Sequence, residues 1–248
     1  SSAASDVYKR QELGYDEVMK EKQNYTRYGG VSISYADGGA SYSRGSGDNH
    51  SRAMNFYVTE MGNKGHYLDV VLRFHHIDTN FKMFDENGKK IRGDMHNVGI
   101  SLSSEYGRKK MIDDKGWYIE PQGQLTIGYL GGDNYTTSNG IAVRQGGIRS
   151  ALGRIGFNLG KDIDEKTNIY LKANLLHEFG GGYHAAMADN SGSRIKIDRS
   201  FKDTWFEYGI GAAIQTGTNN HVYLDFERSA GGDFKKDWSW NVGARWTF

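Results

Sequence analysis

The chain has no cysteine, one proline and no stretch close to the ~20 consecutive apolar residues of a membrane-spanning helix. Without cysteine there is no disulfide scaffold, no thiolate zinc site and no cysteine nucleophile. No signal-peptide core is visible either. Net charge is nearly absent, with 31 basic against 30 acidic side chains, so the chain has no electrostatic footprint for nucleic acid. The mean hydropathy of −0.68 is low for a packed core. Disorder would explain that value, but disordered chains are poor in aromatics and strongly charged, whereas aromatics here reach 13%. The 34 glycines are roughly twice ordinary usage. A chain of 248 residues fits a single all-β domain. A transmembrane β-barrel reconciles these features, because half of every strand faces a polar lumen and dilutes the hydropathy.

The opening Asp6-Val7-Tyr8-Lys9-Arg10-Gln11 resembles the translated end of a sequencing-library adapter. Residues 1–11 are read as a non-native scar or a disordered polar tail, and residues 12–248 as the domain. From Tyr25 onward, period-two alternation recurs. Trp117, Ile119, Leu125, Ile127 and Tyr129 share one face; Tyr118, Glu120, Gln122, Gln124 and Thr126 share the other. The same pattern marks His66–Ile77, Asn97–Gly107, Leu152–Gly160, Asn168–Phe179, Trp205–Gln215 and the run from Val222 to Glu227. Tyr28–Tyr35 and Ser51–Glu60 are weaker strands, and Leu13–Val18 reads as the stub of another. Connections alternate in length. Those at Met19–Asn24, Met61–Gly65, Arg108–Lys115, Lys161–Thr167 and Thr216–Asn220 are short. Ala36–Asn49, Asp85–Asp94, Gly131–Gly140, Gly180–Asp203 and Ala230–Lys236 are mostly longer and rich in Gly, Ser, Asn and Asp. Up-and-down membrane barrels alternate in this way, with tight turns at one end and surface loops at the other. The lone Pro121 falls inside a strand, where it predicts a bulge or weakened pairing.

The final residues alternate without error. Trp240, Val242, Ala244, Trp246 and Phe248 share one face; Asn241, Gly243, Arg245 and Thr247 share the other. Asn241, Gly243, Trp246 and Phe248 resemble the assembly signal in the last strand of bacterial outer-membrane proteins. Further segments extend the likeness: Gly65-His66-Tyr67-Leu68-Asp69, Gly116-Trp117-Tyr118-Ile119-Glu120-Pro121-Gln122, Asp133-Asn134-Tyr135-Thr136-Thr137, Gly153-Arg154-Ile155-Gly156-Phe157 and Asp203-Thr204-Trp205-Phe206-Glu207. Together they make Glu12–Phe248 resemble the C-terminal β-barrel translocator domain of type V autotransporters. The resemblance implies a transmembrane antiparallel up-and-down barrel of twelve strands threaded by an N-terminal helix. It implies a pore and anchor in the outer membrane of a Gram-negative bacterium, serving secretion of an N-terminal passenger. Its partners would be outer-membrane lipid, the barrel-assembly machinery, periplasmic chaperones and the chain's own passenger. No cofactor, nucleic acid or enzymatic activity is implied. Ten full strands and a stub fall short of twelve, so the barrel is read as truncated at its N-terminus.

Glu120, Gln122, Gln124, Arg154, Lys172, Glu207, Asp225 and Arg245 are predicted to line the pore, with Glu120 and Arg154 as a charge pair. Water in the pore would leave such pairs weak. Adjacent His75 and His76 point to opposite strand faces and cannot share one ion. No catalytic or metal-binding set emerges, and G-x-S-x-G, P-loop and H-E-x-x-H motifs are absent. Trp117, Tyr129, Trp205, Tyr208, Trp240 and Trp246 read as an aromatic girdle. Two alternatives stay open: a stand-alone porin or adhesin barrel, and an outer-membrane protease or lipase barrel.

Overall fold

A computed structural model describes residues 8–216, 220–233 and 236–245, with side chains at all of these but 8, 42 and 245. Those residues contain no helix and sixteen strands. The strands are β1 (Tyr8–Lys22), β2 (Tyr25–Tyr42), β3 (Gly45–Gly62), β4 (His66–Phe84), β5 (Lys90–Arg108), β6 (Lys110–Met111), β7 (Trp117–Leu130) and β8 (Asn134–Thr136). They continue with β9 (Ala142–Gln145), β10 (Ile148–Asp162), β11 (Thr167–Glu178), β12 (Gly182–Ala188), β13 (Arg194–Ser200), β14 (Asp203–Gln215), β15 (His221–Ala230) and β16 (Ser239–Arg245). One curled antiparallel sheet runs β1-β2-β3-β4-β5-β7-β10-β11-β14-β15-β16, with β6 beside β7. Every neighbour pair on this path is also consecutive in the chain once the short β6 and the small second sheet are set aside, which is an up-and-down meander.

The period-two pattern sets what each face does. Val31, Ile33, Phe56, Val58, Phe74, Ile100, Leu102, Leu125, Ile127, Ile155, Phe157, Leu171, Phe206 and Ile210 alternate outward and are exposed. Such a face is stable only against hydrocarbon. The backbone satisfies itself through long ladders, as hydrocarbon requires; β4 and β5 pair from His66↔Arg108 to Phe84↔Lys90 without a break. At Pro121 the β7 ladder to β5 ends. β5 pairs as far as Gly107↔Gln122, and pairing resumes only at Lys110↔Ile119 in β6. A residue without an N–H interrupts the ladder there, as its position in the sequence predicts.

Three expectations change. The predicted Leu13–Val18 stub is a full strand of 15 residues, β1, whose first residues Tyr8–Gln11 pair with Tyr35–Gly38. The expected loop at 36–49 is mostly strand and the one at 85–94 is half strand, because β2 to β5 run 18 or 19 residues. At ~3.3 Å per residue they are about 60 Å long, far beyond a ~25 Å apolar band. Above the band both faces are wet, so alternation stops while hydrogen bonding continues. Finally, the expected loops at 131–140 and 180–203 contribute a second sheet of order β13-β12-β9-β8. β9 pairs with β12 from Ala142↔Ala188 to Gln145↔Ala185, joining two connections at one end of the wall.

Glycine abundance has a structural reason on the concave face. Tyr57 lies opposite Gly30, Tyr67 opposite Gly107, Tyr118 opposite Gly160, Tyr170 opposite Gly211 and Tyr223 opposite Gly243. A Cβ at any of these glycines would overlap the facing ring. Each tyrosine therefore lies flat across a bare stretch of the neighbouring strand, covering backbone that glycine leaves open.

Candidate functional site

The concave face carries the polar side chains, and register decides which of them meet. On β14, Gly209 stands between Lys172 of β11 and Glu227 of β15. Gly211 likewise stands between Tyr170 and Asp225. With no side chain in the way, Lys172 Nζ reaches Glu227 Oε1 at 2.7 Å and Asp225 Oδ1 at 2.9 Å. The Tyr170 hydroxyl donates to Asp225 Oδ1 at 2.7 Å. Lys236 adds a second cation, 3.2 Å from Glu207 Oε1 and 3.4 Å from Glu227 Oε2. Three carboxylates and two ammonium groups thus form one network across three strands.

A second row crosses β5, β7 and β10. Arg154 lies opposite Gln124, which lies opposite Glu105. Arg154 Nε donates to Gln124 Oε1 at 2.9 Å, and Nη2 reaches past it to Glu105 Oε2 at 2.7 Å. Gln124 Nε2 donates to Ser103 Oγ, and the Tyr67 hydroxyl donates to Glu105 Oε1. A third row spans β1 to β4. There Ser32 Oγ donates to Glu12 Oε1 at 2.6 Å, Asn55 Nδ2 donates to both Ser32 and Glu12, and Arg73 Nε donates to Asn55 Oδ1 at 2.7 Å. Asn55 is 1% exposed, the most enclosed large polar residue of the wall.

All seven predicted lining residues with described side chains, Glu120, Gln122, Gln124, Arg154, Lys172, Glu207 and Asp225, lie on this face; Arg245 ends β16 with its side chain outside the description. Two expectations fail in detail. Glu120 does not pair with Arg154, because in register it faces Asn158, from which it accepts at 3.1 Å, together with Gln122 Nε2 at 2.7 Å. Nor are the charges freely hydrated: the Lys172 and Asp225 side chains are only 16% and 11% exposed. Glu105, Glu227, Asn55 and Arg73 lie outside the predicted lining set, because their importance comes from register across an intervening strand. Of the expected aromatic girdle, Trp117, Tyr129, Tyr208 and Trp240 face outward and are exposed. Trp205 instead turns inward, buried opposite buried Leu176, with Nε1 donating to Glu207 Oε1 at 3.3 Å. Asn241 and Gly243 lie in β16 opposite Asp225 and Tyr223, while Trp246 and Phe248 lie outside the described residues.

A single up-and-down sheet with an apolar convex face and a hydrogen-bonded, charged concave face is the wall of an outer-membrane β-barrel. The chain belongs to the autotransporter β-domain family, whose model matches residues 11–227. It is 30% identical over 243 residues to the pertactin autotransporter of Bordetella parapertussis, covering 96% of this chain and 26% of that protein. The chain thus spans about a quarter of the length of the curated relatives it matches. Its fold is similar to the β-domain of the Bordetella autotransporter BrkA, with a TM-score of 0.76 at 23% identity, covering 98% of this chain and 91% of the other. It is also similar to the transport unit of AIDA-I from Escherichia coli, with a TM-score of 0.70 at 15% identity, covering 98% and 83%.

Proposed function

We infer that this chain walls a translocation pore and anchors it in the outer membrane, so that an N-terminal passenger reaches the cell surface. The observation that carries the reading is the division of one sheet into a bare apolar exterior and a polar concave face braced by its own ion pairs. A passing polypeptide meets hydrogen-bonding groups already committed to one another, among them Arg154 with Glu105 and Lys172 with Glu227. It is offered water and few free charges. The domain carries no catalysis of its own in this reading. Hydrocarbon surrounds the outward face; the barrel-assembly machinery and periplasmic chaperones deliver the chain, with Asn241, Gly243, Trp246 and Phe248 as the assembly signal. The pore-lining set is Glu120, Gln122, Gln124, Arg154, Lys172, Glu207, Asp225 and Arg245.

Orientation follows from the two ends of the wall. The end bearing the small second sheet faces outside, and the tight turns, such as the one through Glu165, face the periplasm. Cysteines placed at Ser191 and at Glu165 in the full-length protein test this with a membrane-impermeant thiol reagent on intact cells. Labelling at 191 alone is expected. Labelling at 165 alone would invert the topology, and a passenger retained in the periplasm beside a correctly inserted barrel would remove the secretion role.

A further inference from the structure

Where β4 and β5 leave the apolar band, their outward side chains change character together. Along β4 the outward series runs Phe74, His76, Asp78; along β5 it runs Ile100, Val98, His96. Asp78 lies directly opposite His96, and His76 lies opposite Val98. One strand thus supplies two potential ligands at alternate positions and its neighbour supplies the third. We propose that His76, Asp78 and His96 form a binding site for a borderline divalent metal ion of the Zn²⁺ class on the outer surface of the wall.

The ligand atoms already converge. His76 Nε2 lies 2.9 Å and His96 Nδ1 2.7 Å from the same oxygen, Asp78 Oδ1, and all three atoms lie within 4.8 Å of one another. The two rings are 14° from parallel with centroids 6.4 Å apart, and each directs a nitrogen at the same carboxylate oxygen. Zinc–nitrogen bonds of ~2.0–2.1 Å in a tetrahedron place ligand atoms about 3.3 Å apart. The two contacts to Asp78 are about half an ångström shorter than that value and the two ring nitrogens lie within 4.8 Å of each other, so small side-chain rotations close the site without moving backbone. The backbone is held by the unbroken β4–β5 ladder, and the His96 amide donates to Asp133 Oδ2 at 2.7 Å. Two imidazoles and one carboxylate suit zinc and its transition-metal neighbours. Calcium and magnesium demand six or more oxygens and find one carboxylate here.

The electrostatics favour a cation. Asp78 serves two histidines at once, and Asp94 and Asp133 add negative charge beside His96. The next pair along the same row is Asp37 opposite His50, with His50 in turn opposite Asp78, so acids and imidazoles alternate across four strands. When the metal enters, each ring nitrogen now facing Asp78 releases its proton, to solvent from an imidazolium or to the other ring nitrogen of a neutral imidazole. The fourth coordination position opens to solvent and holds water, since the His76 and His96 side chains are 43% and 62% exposed. The bound ion would cross-link β4 to β5 above the hydrocarbon, where lipid no longer shields their hydrogen bonds.

The test uses full-length protein extracted in detergent from outer membranes and stripped with a chelator. Zn²⁺ is titrated against a chromophoric indicator, and Co²⁺ serves as a spectroscopic probe. One Zn²⁺ beyond the content of a His76→Ala/His96→Ala variant is expected, with each single alanine weakening binding by about tenfold or more. A His66→Ala control should bind as the parent does, and affinity should fall in acid, where protons compete for the ring nitrogens. In the unaltered protein, Zn²⁺ should also protect His76 and His96 from acylation by diethylpyrocarbonate, a measurement that needs no variant. Equal zinc binding by the parent and the double variant, or unchanged acylation with zinc present, would overturn the site.

Discussion

Lys172 is tied to two carboxylates because position 209 of the strand between them is glycine. Removing the lysine leaves Asp225 and Glu227 without their shared cation at 16% exposure or less, so Lys172→Ala should destabilise the folded barrel by on the order of 2–4 kcal/mol. That lies toward the low side for a buried pair, because Glu227 keeps Lys236 at 3.4 Å. Urea unfolding of detergent-folded protein would measure it. A Lys172→Met/Glu227→Gln double variant should cost less than the two single changes added, since it removes the cation and part of the stranded charge together. Strict additivity would mean the ions do not act on each other. The same logic at Glu120 gives a smaller effect, because its partners Gln122 and Asn158 are neutral.

Among the elements, the tyrosine–glycine seats offer a two-part test. Gly211→Val puts a branched side chain where the Tyr170 ring lies and should cost about 1–3 kcal/mol by overpacking. Adding Tyr170→Ala should recover part of that loss, because the clash with the ring disappears while the one with Asp225 Oδ1 stays; no recovery would mean that the ring does not set what position 211 tolerates. The β12–β13 hairpin offers a pH test. Asp189 Oδ1 accepts from the Ser191 amide, the Ser191 hydroxyl and the Ser193 amide. These hydrogen bonds, the Ser191 hydroxyl first, hold its carboxyl below the usual range. A carboxyl depressed in the folded state contributes stability that is present above its ordinary pKa near 3.8 and is lost as pH falls through the folded value. Hydrogen exchange at Ser191 and Ser193 should therefore be protected at neutral pH and lose protection in acid, and Asp189→Ala should lose it at all pH values. The hairpin itself was not legible in the sequence. Lipid and lumen impose alternation only on the crossing segments, and those, with the Pro121 interruption, could be read directly. Above the membrane the same backbone pairing carries no such pattern. Side-chain meetings such as Arg154 with Glu105, or His76 with His96, depend on register and stay invisible until the strands are aligned.

For the whole molecule the deciding quantity is parity. Among the described residues the wall has eleven strands in antiparallel succession, so β1 and β16 run in the same direction. Among the described residues each has a single partner. Antiparallel closure between them takes one more strand, since a meander closes with antiparallel pairing throughout only when its strands are even in number. Over the ~10 residues that cross the membrane, each open edge would present about five unpaired N–H and C=O groups to hydrocarbon, each costing several kcal/mol. That sum exceeds the total stability of an ordinary domain. The 248-residue chain alone should therefore yield no heat-modifiable monomer in detergent, and its preparations should associate through the β1 and β16 edges. Extending the chain at its N-terminus with the sequence its gene encodes there should restore a compact monomer that shifts mobility on boiling. A monomeric, heat-modifiable band from the 248-residue chain alone would show that the two parallel edges close directly. The barrel would then have an odd number of strands and a narrower lumen, and the pore-lining rows would need to be redrawn around a parallel seam.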